Sequence, residues 1–204
     1  MTNPTPNMQA VQVADGPERR TIFGSLELRE VGEQRFLSGI TAPFNKLSED
    51  LGWFVEEIQP GAFRDALATS DVAALFNHNP DNLLGRSSAG TLQIEERAAG
   101  LWYETLLPNT TVGQTVREGV TRRDIQGNSF AFKVPEEGGD VWQPLPDGRL
   151  RRTIIKIERL FDVGPVVYPA YQDTSVSLRA IQQMEREGHL NRAIRERIQA
   201  HLLA

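Results

Sequence analysis

The chain has 204 residues, of which 39% are hydrophobic and 24% charged, a composition typical of one folded domain with tails. Its formal net charge is −5, and an acidic chain has no general attraction for nucleic acid or anionic membranes, so we expect neither as a partner. It holds no cysteine, which excludes disulfides, thiol catalysis and cysteine-based metal centres.

Residues 1–18 are polar, contain proline and glycine, and predict a flexible N-terminal lead-in. They lack the basic-then-apolar order of a signal peptide. No apolar run in the chain approaches the roughly 18 residues of a membrane span. We therefore expect a cytoplasmic protein.

Short apolar runs between turn residues predict a domain over residues 19–179. In chain order the predicted elements are strands within 20–41 with turns at Gly24, Gly32 and Gly39, a strand at 54–58, a helix from Pro60 through Leu67, a strand at 72–76, a hairpin of 91–95 and 101–106, a helix at 110–122 capped by Thr110 or Thr111, a strand at 128–134, a loop at 135–148, a long strand at 150–161, and its continuation at 163–167. This pattern predicts an α+β, β-rich and barrel-like domain of mostly antiparallel strands with a few peripheral helices.

Residues 180–204 predict a C-terminal amphipathic helical tail. Its apolar residues recur at helical spacing and its other face is charged. A solvated tail and a tail packed on the domain or on a partner both fit this pattern. The apolar positions are Ile181, Met184, Leu190, Ile194 and Ile198, with a break predicted at Gly188.

His78 is the histidine best placed for chemistry. The other two, His189 and His201, lie in the charged tail, where a histidine is usually a surface residue. His78 follows an apolar strand and stands in a polar turn, where a scaffold can present a side chain. A turn histidine bonded only to backbone is the alternative. No histidine or acidic pair has the spacing of a metal site, and no cofactor is expected.

Ser129 is the candidate partner of His78. It opens an alternating strand in which Phe130 and Phe132 share one face, so Ser129 and Ala131 share the other. A serine hydroxyl needs a base to become a nucleophile, and His78 is the histidine available for this in the domain. Most strand serines do no chemistry, so each signal is weak alone and the two support each other.

An acid that orients the histidine would complete a triad. Glu158 and Asp162 lie in the long predicted strand and would share a face if that strand is regular. Asp162, at the strand's end, is the better candidate. An exposed strand charge is the alternative for Glu158, and a turn-capping aspartate is the alternative for Asp162.

Several segments together resemble the tailed-phage prohead protease family, in the family's order and over residues 36–179. The segments are Phe44-Asn45, Glu56-Glu57-Ile58-Gln59-Pro60-Gly61-Ala62-Phe63, Leu75-Phe76-Asn77-His78-Asn79 with Leu84-Gly85-Arg86, Ser129-Phe130-Ala131-Phe132, and Asp162-Val163-Gly164-Pro165-Val166-Val167-Tyr168-Pro169-Ala170-Tyr171. Asp162 stands where a glutamate is commoner in the family, and Gly164-Pro165 replaces the usual Ser-Val.

The resemblance implies a serine endopeptidase with an assemblin-like fold, related to the herpesvirus assemblins. His78 would be the base, Ser129 the nucleophile and Asp162 the third member. The enzyme would act inside the immature capsid, in the host cytoplasm, on scaffold or the scaffolding segment of the major capsid protein, and on itself. Assembly into a homo-oligomer stays open. Oxyanion donors could come from Arg151-Arg152 or from a backbone N–H near Gly164.

Two other functions compete with the protease. A non-catalytic capsid-assembly or scaffold module could keep the same fold. An esterase of unrelated fold is disfavoured, because the chain lacks the Gly-x-Ser-x-Gly nucleophile elbow.

Overall fold

A computed structural model of the chain describes residues 17–24, 26–51, 53–168 and 196. The predicted lead-in as far as residue 16, His189, His201 and the helical tail, residue 196 excepted, lie outside these residues. The described elements are β1 (Glu18–Phe23), β2 (Glu27–Val31), β3 (Gln34–Pro43), β4 (Phe54–Ile58), α1 (Arg64–Thr69), β5 (Ala73–Leu75), β6 (Leu83–Arg86), β7 (Leu92–Arg97), β8 (Gly100–Leu106), α2 (Thr111–Arg122), β9 (Gly127–Lys133), β10 (Asp140–Pro144), β11 (Leu150–Ile154) and β12 (Arg159–Val166).

The strands form three open sheets. Their orders are β1-β9-β12-β5-β6, β2-β3-β8-β7 and β10-β11-β4. Most pairs are antiparallel, while β12 with β5 and β11 with β4 are parallel. The prediction of a β-rich α+β fold is confirmed. In the five-stranded sheet β9 lies between β1 and β12, so Ser129 has a strand on each side.

Aromatic and aliphatic side chains from several elements fill one core. Phe130 and Phe132, on one face of β9, stack at 4.8 Å, and Phe63 meets Phe130 edge-on at 5.8 Å. Val116 of α2 is fully buried against this cluster. Thr110 caps α2, because its hydroxyl accepts a hydrogen bond from Gly113 N at 3.4 Å. The core therefore packs against the face of β9 that carries the two phenylalanines.

Some elements differ from the prediction for identifiable reasons. Gly39 lies inside β3, paired with Tyr103, rather than in a turn. The first helix begins at Arg64, since Gly61 has φ +90° and cannot belong to a helix. The predicted loop at 135–148 contains β10, which pairs with β11 along its length.

The predicted long strand at 150–161 is two strands, β11 and β12. Between them the backbone turns to other partners: Ile155 N and Lys156 N both donate to Gly139 O, and Ile157 N donates to Ala62 O. β11 thus belongs to the three-stranded sheet and β12 to the five-stranded one. The regular strand assumed to run through Glu158 and Asp162 is therefore wrong, because Glu158 precedes β12.

Candidate active site

A left-handed turn after β5 presents His78. Asn77 and His78 have φ values of +57° and +54°, a region that asparagine tolerates better than most residues. Asn77 ties the turn to the end of β12. Its N–H donates to Pro165 O at 3.0 Å, and its side-chain Oδ1 accepts from Val167 N at 2.9 Å. The turn is thereby fixed at the end of β12, the strand that pairs with β9 and Ser129.

The structure brings the three residues chosen from the sequence together. His78 Nδ1 lies 2.6 Å from Asp162 Oδ1, and His78 Nε2 lies 2.8 Å from Ser129 Oγ. The histidine and aspartate side chains are mostly buried, at 11% and 10% exposed. One imidazole therefore bridges a carboxylate and a hydroxyl through its two nitrogens, which is the geometry of a base held by an acid.

An irregularity in β12 aims Asp162 at the histidine. The pairing of β12 with β9 shifts between Leu160 and Asp162, so Phe161 is an extra residue in the ladder. Such a bulge re-aims the side chains that follow it. Glu158, the alternative third member, is half exposed and lies 3.6 Å from Lys133 Nζ, so it takes no part in the site.

Gly164 allows β12 to approach β5 closely enough to build the site. It lies opposite Ser129 in the ladder and has φ +153°. A Cβ atom there would lie 2.1 Å from the carbonyl oxygen of Leu75, the last residue of β5 before the His78 turn. Only glycine fits this contact, so the Gly164 seen in the motif has a steric reason.

Ser129 is fully buried, whereas the sequence allowed it to face a cleft. The strand β1 covers it, with Thr21 directly opposite in the ladder. The Ser129 hydroxyl donates to Arg20 O at 2.7 Å and accepts from Thr21 Oγ1 at 3.1 Å. Sequence reasoning missed this contact because it joins residues more than a hundred positions apart.

A buried group of five charges, which we call the ion cluster, lies beside this contact. Its members are Glu18, Arg20, Glu56, Asp140 and Arg152. Arg152 is fully buried and donates to three carboxylates: Glu18 at 2.6 Å, Glu56 at 2.9 Å and Asp140 at 2.7 Å. Arg20 makes two bonds of 2.8 Å to Glu56. No local sequence pattern indicates this cluster, because its members lie on four different strands.

The cluster keeps both arginines charged. Burial lowers the pKa of Arg152, but the carboxylates of Glu18 and Glu56 outweigh burial and raise that pKa well above its usual value. The pKa of Arg20 is also raised, since Glu56 and Glu18 outweigh the effect of burial. Because every nitrogen of Arg152 already donates to a carboxylate, Arg152 is a poor candidate for an oxyanion donor.

Among the described residues, no group of three or more histidine and acidic side chains is arranged to hold a metal ion. No helix within the described ranges is long and apolar enough to cross a membrane.

The family model of the caudovirus prohead serine proteases matches residues 24–187. A search of curated proteins found no match. Among solved structures, the chain is similar to the capsid assembly protease of bacteriophage T4, with 9% sequence identity and a TM-score of 0.49, over 75% of this chain and 99% of that one.

Proposed function

The chain belongs to the family of caudovirus prohead serine proteases, and from this premise we propose that it is a serine endopeptidase of capsid maturation with His78, Ser129 and Asp162 as its catalytic residues. Its substrates are scaffold or the scaffolding segment of the major capsid protein, and the chain itself. The enzyme acts inside the immature capsid in the host cytoplasm, where it can assemble with further copies of itself.

One observation carries the assignment of residues: His78 contacts Asp162 through Nδ1 and Ser129 through Nε2, at 2.6 and 2.8 Å. In this arrangement Asp162 holds the proton on Nδ1, which leaves Nε2 free to act as a base. Nε2 takes the serine proton as Oγ attacks a peptide carbonyl. Asp162 then stabilises the imidazolium that forms.

The same contacts complete the cycle. His78 passes its proton to the leaving amine, and an acyl-enzyme on Ser129 remains. A water molecule then loses a proton to Nε2 and attacks the acyl carbon, and Nε2 returns that proton to Ser129 Oγ as the second product leaves. A backbone N–H near Gly164, opposite Ser129 in the ladder, remains the candidate donor to the oxyanion.

A fluorophosphonate probe tests these roles on the purified full chain. We expect one adduct, located by peptide mass mapping at Ser129, and we expect it to disappear in Ser129→Ala and in His78→Ala. The control is His201→Ala, which alters a histidine distant in the sequence and should label as the wild type does. An adduct on another serine, or full labelling of His78→Ala, would refute the assignment.

The non-catalytic assembly module is the second candidate function, and the complete burial of Ser129 favours it. If the chain is such a module, the probe should label no folded variant, including one in which Glu18→Ala and Arg20→Ala remove the side-chain bonds that hold β1. If the chain is a protease, the probe should label that variant faster than the wild type.

A further inference from the structure

The strand β1 lies where a substrate would have to lie. A hydroxyl nucleophile needs a peptide carbonyl group beside it, and the carbonyl oxygen of Arg20 lies 2.7 Å from Ser129 Oγ as its hydrogen-bond acceptor. The strand runs antiparallel to β9, with Thr21 opposite Ser129. Addition of an extended peptide to the edge of a sheet is a common mode of peptide recognition. In this arrangement Arg20 takes the place of the residue whose carbonyl is attacked.

β1 competes with the base for the serine proton and blocks access to the serine. A hydroxyl has one proton, and Arg20 O at 2.7 Å and His78 Nε2 at 2.8 Å both lie within hydrogen-bonding distance of Ser129 Oγ. Thr21 Oγ1 donates to the same serine oxygen. Ser129 is fully buried beside β1, so a substrate carbonyl can reach its hydroxyl only when β1 leaves.

β1 lies outside the segment that the family model matches. That segment, residues 24–187, begins directly after β1 ends at Phe23. It includes His78, Ser129 and Asp162.

The side chains of β1 show what the site recognises. The guanidinium of Arg20 binds both carboxylate oxygens of Glu56 at 2.8 Å, a bidentate pairing that fits arginine better than lysine. Two positions earlier, Glu18 binds Arg152 at 2.6 and 3.1 Å. Arg19, between them, is exposed.

The contacts of the ion cluster explain which side chains the vacated site would take up. When β1 leaves, Glu56 loses its bidentate partner Arg20, and Arg152 loses its two bonds to Glu18. Removing these partners from buried charges is costly. A substrate segment with an arginine at Glu56 and an acidic residue at Arg152 would restore both pairs.

We propose that β1 occupies the substrate-binding site and that a substrate segment replaces it as the antiparallel partner of β9. Glu56 selects an arginine at the residue whose carbonyl faces Ser129, and Arg152 favours an acidic residue two positions before it. The inference rests on the proposed protease function. The substrate class is therefore an extended peptide with the pattern acid-any-arginine, cleaved after the arginine.

Binding without turnover tests this proposal. The protein is the full chain carrying Ser129→Ala together with Glu18→Ala and Arg20→Ala, which removes both anchors of β1. The weakening is needed because a tethered strand competes at an effective concentration of about millimolar. The probe is a fluorescent peptide with the sequence of residues 18–23, followed by anisotropy. We expect it to bind this variant and not a control that carries Ser129→Ala and Arg19→Ala, in which β1 keeps its anchors.

Specificity is measured with a second peptide, in which citrulline replaces the arginine at the position of Arg20. Citrulline keeps the shape and removes the charge. We expect it to bind at least about tenfold more weakly, since loss of one partner of a buried charge pair has effects of this size or larger. Adding Glu56→Gln should abolish the difference. Glu57→Gln, the neighbouring change on β4, should preserve it.

The outcomes separate this proposal from the protease function. Equal binding of the two peptides, a preference that survives Glu56→Gln, or no binding after β1 is weakened would each overturn the inference. Cleavage is then followed with Ser129 intact. Selective binding without cleavage would refute the protease function and support the binding site. Cleavage without a preference for arginine would support the protease function and refute the inferred binding site.

Discussion

The buried ion cluster makes a quantitative prediction about stability. Changing Arg152 to Met removes a side chain that contacts Glu18, Glu56 and Asp140 together. Methionine has a similar length and can pack against the ring of Trp142, whose centroid lies 5.5 Å from the guanidinium carbon. The change therefore tests the loss of charge more than the loss of volume.

The magnitude follows from burial. Arg152 is 0% exposed, and removing one partner of a buried ion pair costs about 3–5 kcal/mol because a buried charge loses its compensation. Glu18 and Glu56 keep Arg20 as a partner, so the cost should stay within that range rather than triple. Against a typical total of about 5–15 kcal/mol, such a loss is a large fraction of the free energy of unfolding.

Urea unfolding of the purified full chain measures the effect, with the free energy of unfolding extrapolated to water. The matched control is Arg151→Met, the next residue on β11, whose side chain is 38% exposed and pairs with Glu57. Because exposed pairs are screened by solvent, the control should cost about 0–1 kcal/mol. The reasoning is refuted if both variants lose the same small amount.

Three smaller predictions concern the site and its frame. Asp162→Asn should lower kcat by roughly a factor of 10³–10⁴, as expected when a base histidine loses the acid that orients it, while Glu158→Gln should leave kcat unchanged; equal rates for the two variants in a peptide cleavage assay would contradict the role of Asp162. Gly164→Ala should cost about 3 kcal/mol of stability, because its methyl group would lie 2.1 Å from Leu75 O; an unchanged unfolding midpoint in urea would argue against this contact. A hydrogen bond from a neighbouring arginine, with a further one from a serine, lowers the pKa of Asp71 from 3.8 to about 2. Its stabilising effect should therefore be present above pH 3.8 and disappear as pH falls towards 2, so acid unfolding curves of the wild type and Asp71→Asn should differ at pH 5 and converge near pH 2; a constant difference would contradict it.

Local sequence patterns predicted the bounds of elements that depend mainly on their own residues. The strand at 54–58 has the predicted bounds, and the second helix begins beside its cap Thr110 and ends at Arg122 as predicted. β10 was missed because its short run lies among glycines and prolines. What stabilises it is distant in the sequence: it pairs with β11, and Trp142 stacks on Trp53 at 5.3 Å.

The site, too, combines residues that local patterns predict with contacts that depend on distant parts of the chain. His78 and Ser129 could be chosen by residue type and position, and the structure places them in contact. Alternation could not separate Asp162 from Glu158, because Glu158 precedes β12 and the extra residue Phe161 shifts the pairing before Asp162. The burial of Ser129 by β1 could not be predicted, because pairing between β1 and β9 depends on tertiary structure and not on a local sequence pattern.

Co-expression of the chain with the major capsid and scaffold proteins of its own phage tests the central claim most directly, with intact masses of all products as the readout. We predict shortened capsid or scaffold products with the wild type and with Ser38→Ala, a control that alters a buried serine on β3. With Ser129→Ala we predict only full-length partners. The same cuts with Ser129→Ala as with the wild type would contradict the account.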